Sequence, residues 1–376
     1  MIDKILLFPY WLALKCRHFM YDHGLKKVRR ADVPTICIGN VTVGGTGKTP
    51  HTEMIVRTLL EDNEWKEKNI AVLSRGYKRR TKGFQQVISD GSAKQFGDEP
   101  MQIKSKFPGI TVAVCKSRIQ GCDFLANPEK LQTTKKARRC IDKNIPAADI
   151  IILDDAYQHR ALKPSVSIVL IDYNRPVTND HLMPLGRLRD LPERISAADI
   201  VIISKCPKDI DPWQRFKWAE SIGLSGYDSE NGYGRRKDGS IQYLFFTTIG
   251  YDMPMAVFPE GDARYVYSKK LILFSGIAND KPLRHYLSSS YKLLRHFEFP
   301  DHHRYSRSDM NGIAREMKAY PTAVAMTTEK DCQRVRDCAY LSDNCKQRMF
   351  YTPIKSEFIT PGGSRLFREA LASFLK

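Results

Sequence analysis

Residues 39–50 read GNVTVGGTGKTP and follow Pro34–Ile38, a short run rich in β-branched residues. A strand that leads into glycines and then into a helix is typical of a phosphate-binding loop. The glycines let backbone N–H groups surround phosphate oxygens, and the amino end of the helix favours anions. In such a loop a lysine reaches the β- and γ-phosphates, and the hydroxyl that follows it binds Mg²⁺. The residues predicted to contact a nucleotide triphosphate are Gly44, Gly45, Thr46, Gly47, Lys48 and Thr49.

Short apolar runs recur between this loop and about residue 220. They are 70–73 (IAVL), 110–114 (ITVAV), 150–153 (IIIL), 167–171 (SIVLI) and 200–203 (IVII). Apolar runs without alternation are typical of strands that are buried on both faces of a parallel sheet between helices. Together with the loop, they predict an α/β fold of the P-loop NTPase type, with a doubly wound, mostly parallel sheet.

The composition changes after residue 225, which predicts a second, smaller α/β domain. Residues 228–239 are polar and glycine-rich, and the runs 241–249 and 253–258 flank a turn and are predicted to form a two-stranded ribbon. The segments 270–275, 322–327 and 349–352 are predicted strands of the smaller domain. The predicted division is 1–30 (an N-terminal interfacial membrane helix with a basic flank), 31–225 (the P-loop domain), 226–352 (the ribbon and smaller domain) and 353–376 (a C-terminal helix that returns to the P-loop domain).

The chain of 376 residues has a net charge of +18. Such an excess of lysine and arginine indicates a polyanionic partner, which can be nucleic acid, an anionic membrane or a phosphorylated substrate. The nine cysteines are dispersed, with no CxxC pair and no Cys–His cluster at zinc spacing. This pattern favours reduced thiols in a cytoplasmic compartment over a disulfide framework.

Residues 5–14 read ILLFPYWLAL, and a basic flank extends from Lys15 to Arg30. Ten apolar residues are too few to span a bilayer as a helix, which needs about 20. Two interpretations remain open at this point. The helix either lies among the headgroups of an anionic membrane, as a basic and aromatic helix can, or packs on the core of the protein itself.

Three acidic segments are candidates for catalytic chemistry. Asp154 and Asp155 follow a buried strand, where two adjacent carboxylates repel each other unless a cation such as Mg²⁺ lies beside them. Asp98 and Glu99 occupy a loop between glycine and proline, a pattern that by itself indicates only a turn. The third segment, 301–305, contains two adjacent histidines. They could belong to a metal site, although no third ligand is close in sequence, or one of them could raise the basicity of a catalytic aspartate across an interdomain cleft.

Seven segments, in order over nearly the whole chain, resemble the tetraacyldisaccharide 4′-kinases of lipid A biosynthesis in Gram-negative bacteria. They are 39–50 (GNVTVGGTGKTP), 74–77 (SRGY), 97–100 (GDEP), 154–160 (DDAYQHR), 184–190 (PLGRLRD), 301–305 (DHHRY) and 328–331 (TEKD). Thr42, where the strict phosphate loop has glycine, is also the family's form. Ala156 and Leu185 depart mildly from the family's usual Gly and Ala, and 130–145 resembles a local insertion.

The resemblance implies transfer of the γ-phosphoryl group of ATP to the 4′-hydroxyl of tetraacyldisaccharide 1-phosphate, which gives lipid IVA. It implies ATP and Mg²⁺ as cofactors and the cytoplasmic face of the bacterial inner membrane as the location. The expected partners are the lipid-linked disaccharide and the anionic membrane surface, with no nucleic acid.

Carried over position by position, the resemblance also implies residue roles. They are the catalytic base Asp98 with its partner His302, the phosphate-binding Lys48, the nucleotide contact Gln158, the metal-side groups Thr49, Glu99, Asp154 and Asp155, and the headgroup or phosphate contacts Arg75, Tyr77, Arg118 and Arg189. His302 is preferred to His303 because it follows Asp301 directly, and the choice between them stays open.

Two other classes of protein fit the residues less well. A P-loop GTPase needs Asn/Thr-Lys-x-Asp after a strand, and the nearest candidate, 204–207 (SKCP), has proline where the aspartate belongs. A nucleic-acid-binding ATPase interleaves aromatic and basic residues along a groove, whereas the aromatic residues here concentrate near the N-terminus and in scattered apolar runs. A P-loop ATPase or kinase for another anionic substrate is the remaining alternative.

Overall fold

The structure is a computed structural model that describes residues 2–338 and 340–375, and side chains from residue 7 onward. Its strands form a larger and a smaller sheet. The larger sheet contains β1 (Thr35–Gly39), β2 (Ile70–Ser74), β3 (Gln85–Gln86), β4 (Thr111–Val114), β5 (Ile150–Asp154), β6 (Val166–Asp172), β7 (Ile200–Ser204), β8 (Ser225–Asp228), β9 (Tyr233–Arg235) and β10 (Ile241–Tyr251). The smaller sheet contains β11 (Met255–Ala256), β12 (Lys270–Ser275), β13 (Lys292–Glu298), β14 (Val324–Thr328) and β15 (Met349–Thr352), and β16 (Ile354–Phe358) pairs with β10.

Helices cover both sheets. They are α1 (Ile2–Asp22), α2 (Lys48–Glu61), α3 (Ala93–Phe96), α4 (Asp98–Lys106), α5 (Arg118–Ala126), α6 (Lys130–Thr133), α7 (Pro212–Ser221), α8 (Lys281–Ser288), α9 (Arg307–Ala319), α10 (Glu329–Val335), α11 (Asp343–Gln347) and α12 (Gly363–Leu375).

The larger sheet has the order β3-β4-β2-β5-β1-β6-β7-β10-β9-β8. The strands from β4 to β10 in this order are parallel, and β3, β9 and β8 pair antiparallel at the edges. The apolar runs of the sequence correspond to β1, β2, β4, β5, β6 and β7, which confirms the predicted doubly wound α/β fold. Because β1 lies between β5 and β6, the glycine loop after β1 and the aspartates at the end of β5 meet at one edge of the sheet.

Side chains alternate between the two faces of this sheet and form a separate apolar core on each. The helices α2, α4 and α12 contribute buried residues to one core, for example Val56, Ile103 and Leu371. The helices α1, α5 and α7 contribute to the other, for example Leu14 and Phe124. The amino ends of α2 and α4 are thereby fixed relative to the sheet edge where the loops lie.

The smaller domain has a mostly parallel sheet of order β11-β15-β14-β12-β13, with α9 packed on one face and α8 on the other. The predicted segments 270–275, 322–327 and 349–352 correspond to β12, β14 and β15. The sequence did not predict β13, because its residues KLLRHFE are at an edge and half-exposed and therefore lack a buried apolar run.

The connection between the domains differs from the predicted ribbon. The strand β10 does not pair with 253–258. Its carboxyl half pairs antiparallel with β16, so that Thr247 faces Phe358 and Tyr251 faces Ile354. Residues 255–256 instead join the smaller sheet by pairing with β15. In addition, β8, β9 and β10 extend the larger sheet beyond residue 225, so strand pairing with the larger sheet continues into β10. The actual partner of β10, β16, lies more than 100 residues further along the chain, and no local sequence pattern predicts a pairing over that distance.

The N-terminal helix α1 presents two different faces. Leu14 and His18 are buried against the larger domain, whereas Phe8, Trp11, Leu12 and Phe19 are exposed. Both interpretations of the sequence therefore describe part of this helix. Within the described residues, no helix combines the length and apolarity needed to cross a membrane.

Candidate active site

The glycine loop begins at the carboxyl end of β1 and ends where α2 starts at Lys48. Gly44 and Gly47 have φ of 102° and 84°, which side chains other than glycine disfavour. Asn40 is fully buried beneath the loop and donates from Nδ2 to Thr46 Oγ1 at 2.9 Å. The loop is therefore held by a buried amide, and Thr49 opens the first turn of α2 beside Lys48.

Lys48 lies close to Asp155, predicted for the metal side, and to Arg189, predicted to contact the headgroup or the transferring phosphate. Its Nζ donates to Asn40 Oδ1 at 3.3 Å and lies 3.8 Å from Asp155 Oδ1. Arg189 also donates to both Asn40 and Asp155. Burial lowers the pKa of Lys48, and the charges of Asp155 and Asp154 oppose this effect. The cationic groups of Lys48 and Arg189 thus both lie beside the Asp155 carboxylate at the mouth of the loop. Cationic donors at this position can form charge-assisted hydrogen bonds with phosphate oxygens.

Asp154 ends β5 inside the protein and accepts hydrogen bonds from Thr52 Oγ1 and Ser74 Oγ, each at 3.2 Å. Burial, together with the adjacent charge of Asp155, raises the pKa of Asp154 to about 6. Burial acts in the same direction on Asp155, but Lys48 and Arg189 outweigh it and lower the pKa of that carboxyl. A buried carboxylate without a cationic hydrogen-bond partner is suited to receive a metal ion.

The residues around Asp154 fit Mg²⁺ better than a metal ion whose ligands all come from protein side chains. Among the described residues, no three carboxylate, imidazole or thiol side chains lie close enough together to hold an ion. Mg²⁺ takes one or two protein carboxylates and completes its shell with water and substrate phosphates. Asp154 next to a phosphate loop satisfies this requirement.

Asp98 begins α4 and faces the smaller domain. Its Oδ2 accepts from Arg334 Nε at 3.0 Å and Nη2 at 2.5 Å, and it lies 3.4 Å from His302 Nδ1. Burial by itself raises the pKa of Asp98, but the hydrogen bonds from His302 and Arg334 and the charges of Arg334 and Lys330 lower it to about 2. The carboxylate is therefore ionised and bridged to the smaller domain.

The two histidines of 301–305 have different neighbours. His302 lies between Asp98 and Lys330, whose Nζ is 3.2 Å from His302 Nε2. His303 pairs with Asp309 at 2.9 Å and stacks on Phe299. Of the two, the structure brings His302 to Asp98.

Glu99, the other acidic residue of this turn, is 3.4 Å from Lys330 Nζ. Its charge also acts on Lys48 and Asp154, so Glu99 is within electrostatic range of the loop edge.

Backbone strain concentrates around these groups. Apart from glycines, the described residues with positive φ are Lys78, Asp155, Lys205 and His302, at 48–62°. Such conformations are unfavourable for side-chain-bearing residues and persist where the surrounding structure enforces them, often at functional sites. Asp155 and His302 are both among the predicted site residues.

The predicted headgroup contacts occupy three kinds of position. Arg75 is exposed, and the exposed ring of Tyr77 lies 6.0 Å from that of His302. Arg189 lies beside the glycine loop, where it donates to Asn40 and Asp155. Arg118 is buried and donates to the carbonyl oxygens of Cys115, Asp154 and Asp155, so its contacts fix the backbone that carries the aspartates.

A cavity of about 160 Å³ opens beside Asp98 between the two domains. Tyr77 and His302 line it together with basic side chains that include Lys78, Lys94 and Arg307. The side of Asp98 that faces this cavity is thus open and lined by aromatic and cationic side chains.

The helix α1 contacts the same edge of the larger domain. Gln158, predicted as a nucleotide contact, donates from Nε2 to Asn40 O at 2.7 Å, and its own carbonyl accepts from Arg17. Tyr10 Oη donates to the carbonyl of Arg189 at 3.0 Å. The N-terminal helix is therefore docked directly behind two predicted site residues.

Sequence reasoning missed Asn40, Lys330 and Arg334 as members of the site. Asn40 lies in the quoted loop, and Lys330 lies in the segment TEKD, but neither was assigned a role. Arg334 lies one helical turn after Asp331, and the i,i+3 spacing of an acid and a base on one helix was the available signal.

Comparison with known proteins gives a consistent result. A family model described as tetraacyldisaccharide-1-P 4′-kinase matches residues 4–375. The tetraacyldisaccharide 4′-kinase of Phocaeicola vulgatus is 36% identical over 356 residues, which cover 93% of this chain and 88% of the relative. The one from Flavobacterium johnsoniae is 34% identical, with 94% and 92% covered.

A crystal structure of LpxK from Aquifex aeolicus in complex with ATP has the same fold, with a TM-score of 0.70, 22% identity and both chains covered completely. Since the family model spans almost every residue and the two curated relatives exceed 30% identity over most of their length, the chain belongs to the tetraacyldisaccharide-1-P 4′-kinase family.

Proposed function

We propose that this protein transfers the γ-phosphoryl group of ATP to the 4′-hydroxyl of tetraacyldisaccharide 1-phosphate and so forms lipid IVA. The observation that carries the proposal is the juxtaposition of two sets of groups. A phosphate loop with a buried aspartate at its edge belongs to the larger domain. Asp98 pairs with His302 of the smaller domain, and the neighbouring Glu99 carries a charge that acts on Lys48 and Asp154. The relatives named above are kinases with this activity in their names.

On the donor side, Gly44–Gly47 present backbone N–H groups to the phosphates, and Lys48 reaches the β- and γ-phosphates. Gln158 stays behind the loop, where it fixes the carbonyl of Asn40. Phosphoryl transfer needs positioning and charge neutralisation more than covalent help from the protein. Arg189 and Lys48 supply positive charge that Asp155 holds in place before ATP arrives.

On the metal side, Asp154 and Thr49 would hold Mg²⁺, with Asp155 and Glu99 close by. The ion, when bound, neutralises charge on the β- and γ-phosphates. Thr52 and Ser74 orient the Asp154 carboxylate through one oxygen each. This second layer of hydrogen bonds keeps the carboxylate in one rotamer.

On the acceptor side, Asp98 accepts the proton of the 4′-hydroxyl as the new O–P bond forms and the bond from the γ-phosphorus to the bridging oxygen of ATP breaks. A positioned base of this kind contributes about 10²–10⁴-fold. His302 Nδ1 lies 3.4 Å from the carboxylate and donates to it, so the imidazole orients Asp98 and stabilises its ionised form. Arg75 and Tyr77, at the open side of the cleft, and Arg118 and Arg189 complete the set assigned to the lipid headgroup or the transferring phosphate.

The acceptor carries acyl chains, so the enzyme works at the cytoplasmic face of the bacterial inner membrane. The exposed aromatic side chains of α1 and the +18 net charge suit an anionic lipid surface, where each basic residue contributes about 1 kcal/mol. The proposed partners are the lipid-linked disaccharide and this surface, without nucleic acid.

The test combines labelled ATP, Mg²⁺ and a panel of lipid A precursors, with and without a 1-phosphate and acyl chains. The expected product is a labelled glycolipid formed from tetraacyldisaccharide 1-phosphate. Asp98→Ala is expected to abolish transfer while the affinity for ATP stays nearly unchanged, since Asp98 faces the acceptor. Parental turnover by that variant would refute the base assignment, and labelled phosphate without labelled lipid would refute the acceptor.

A further inference from the structure

The helix α10 of the smaller domain contacts both ends of α4, the helix that begins with Asp98. At the amino end of α4, Lys330 approaches Glu99 and Arg334 binds Asp98. At the carboxyl end, Glu329 lies 2.7 Å from the ammonium group of Lys106. The nine residues of α4 separate these two contacts by about 12 Å. The proposed chemistry accounts for the first contact but gives no role to the second.

Lys106 is a junction of three elements. Its Nζ lies 2.7 Å from Glu53 Oε2 on α2 and 2.7 Å from Glu329 Oε1 on α10, and it donates to the carbonyl of Ile354 on β16 at 3.3 Å. Glu329 also accepts from the backbone N–H of Ile354 at 3.0 Å. One ammonium group therefore joins the phosphate-loop helix, the Asp98 helix and the smaller domain.

The junction is a buried charge cluster rather than a surface ion pair. The side chain of Glu53 is fully buried and that of Glu329 is 5% exposed. Burial and the negative charge of Glu329 raise the pKa of Glu53, against the attraction of Lys106. Arg57, at 3.6 Å from Glu53, is the other nearby cation, and Gln102 donates to Glu53 at 2.8 Å. Two buried carboxylates this close need the lysine, since removal of one member of a buried charge network leaves the others uncompensated.

We infer that Lys106 and Glu329 are positioning residues for phosphoryl transfer: they fix the carboxyl end of α4 between the two domains, so that Asp98 at its other end stays aligned with the phosphate loop. Glu53 gives this anchor a direct connection to the helix that Lys48 begins. The inference rests on the proposed role of Asp98 as base.

The chain supplies a matched control on the same helix. Lys104 is buried, and its ammonium group donates to the carbonyl oxygens of Pro108 and Ile110, both in the segment that follows α4. Lys104→Met removes a buried lysine from α4 without touching the smaller domain. Lys106→Met, by contrast, removes a lysine of α4 that contacts the smaller domain through Glu329.

The experiment measures kcat for transfer, the Kd for ATP, and amide hydrogen exchange over residues 98–106 and 354–358 in the full chain. We expect Lys106→Met to lower kcat by roughly tenfold or more with little change in the ATP Kd, because a misplaced base costs rate and not nucleotide affinity. Exchange is expected to rise in both segments. Lys104→Met is expected to keep kcat within about twofold of the parent and to raise exchange in α4 alone.

A double substitution separates alignment from simple charge repulsion. Lys106→Met/Glu329→Gln removes one of the two uncompensated carboxylates and leaves Arg57 beside the other, Glu53. It is expected to recover part of the lost stability, but not the alignment, so kcat stays low. Parental kcat in Lys106→Met, or equal losses in Lys104→Met and Lys106→Met, would overturn the inference. If Lys106→Met does not fold, Glu329→Gln alone decides: unchanged kcat and exchange in that variant would overturn it. Hydrogen exchange reports on the anchor of α4 even if the acceptor proves to be another molecule. A failure of the inference about Lys106 can therefore be distinguished from a failure of the proposed function.

Discussion

The guanidinium group of Arg334 in the smaller domain lies 2.5 Å from the carboxylate of Asp98 in the larger domain. Arg334 is 6% exposed and also binds Asp331 at 2.9 Å. The base assigned to the acceptor is therefore held by an ion pair that spans the cleft, and its ionisation depends on how the two domains meet.

Arg334→Met is expected to lower the free energy of unfolding by about 3 kcal/mol at pH 7, because it leaves Asp98 and Asp331 without their cation. The folded-state pKa of Asp98, about 2, lies below its unfolded value of 3.8. The pair therefore stabilises the protein above about pH 4, and its contribution is lost as the pH falls through 2. Denaturant titrations from pH 7 to pH 2 should show the difference between parent and variant shrinking with acid.

The control for this measurement is Arg336→Met, because Arg336 binds the carbonyl of Val257 and Ser105 instead of Asp98. A difference between the parent and Arg334→Met that stays constant down to pH 2 would contradict the pairing.

Protons are expected to compete with Mg²⁺ at Asp154, whose pKa burial and Asp155 raise to about 6. The Mg²⁺ concentration for half-maximal transfer should rise by about tenfold per pH unit below 6, and Asp154→Asn should abolish the dependence along with most of the rate. Asp199→Asn, which alters an aspartate that caps Ser167 on another part of the sheet, is the control. A Mg²⁺ requirement that is flat between pH 7 and pH 5 would argue against Asp154 as a ligand.

The sequence predicted the parts of the molecule that local patterns encode. The apolar runs identified the parallel strands, and the glycine loop placed Lys48 and Thr49 at the start of α2. Long-range pairing was not accessible in this way. The pairing of β16 with β10 and the salt bridge from Arg334 to Asp98 each join residues that are more than 100 positions apart in sequence. The edge strand β13 is half-exposed. Neither periodicity nor composition indicates any of these three features.

Because local patterns do not show long-range packing, the sequence also could not decide where the N-terminal helix lies. Its apolar composition fitted both a membrane surface and the protein core, and only the packing separates the buried Leu14 from the exposed Trp11. His18 is also buried, 2.6 Å from Asp190. Deletion of the helix would therefore uncover the core, and substitutions on its exposed face are the better test of membrane binding.

Phe8→Ser/Trp11→Ser/Phe19→Ser is expected to weaken binding to vesicles with anionic lipid by roughly tenfold or more, since three exposed aromatic side chains lose their apolar contact with the interface. Thermal stability should change little, because none of the three is buried. Vesicle co-sedimentation with parent and variant measures the effect. Equal binding by both proteins would show that this face of α1 is not the contact.

His51 is expected to make stability depend on pH. It is fully buried, with Nδ1 2.7 Å from Gly47 O and Nε2 2.8 Å from Thr247 Oγ1, and burial lowers its pKa to about 4. As the pH falls below 6.5, the unfolded chain binds a proton that the folded protein rejects. Stability should therefore drop by about 1.4 kcal/mol per unit between pH 6.5 and 4 from this residue.

His51→Gln should reduce that slope, while His23→Gln, at an exposed position, should leave it unchanged. Denaturant titration at several pH values between 7 and 4 measures both. Identical slopes for the parent and His51→Gln would mean that the histidine titrates normally.

The antiparallel pairing of β10 with β16 places the entry and the exit of the smaller domain side by side, with Gly250 opposite Lys355. In terms of gene architecture, the smaller domain is an insertion into a hairpin. The phosphate loop, Asp154 and α12 remain on one continuous host, and His302, Lys330 and Arg334 arrive together on the inserted module. Replacement of the inserted module between β10 and β16 can therefore exchange these three residues together, while Asp98 and the nucleotide-binding loop stay on the host.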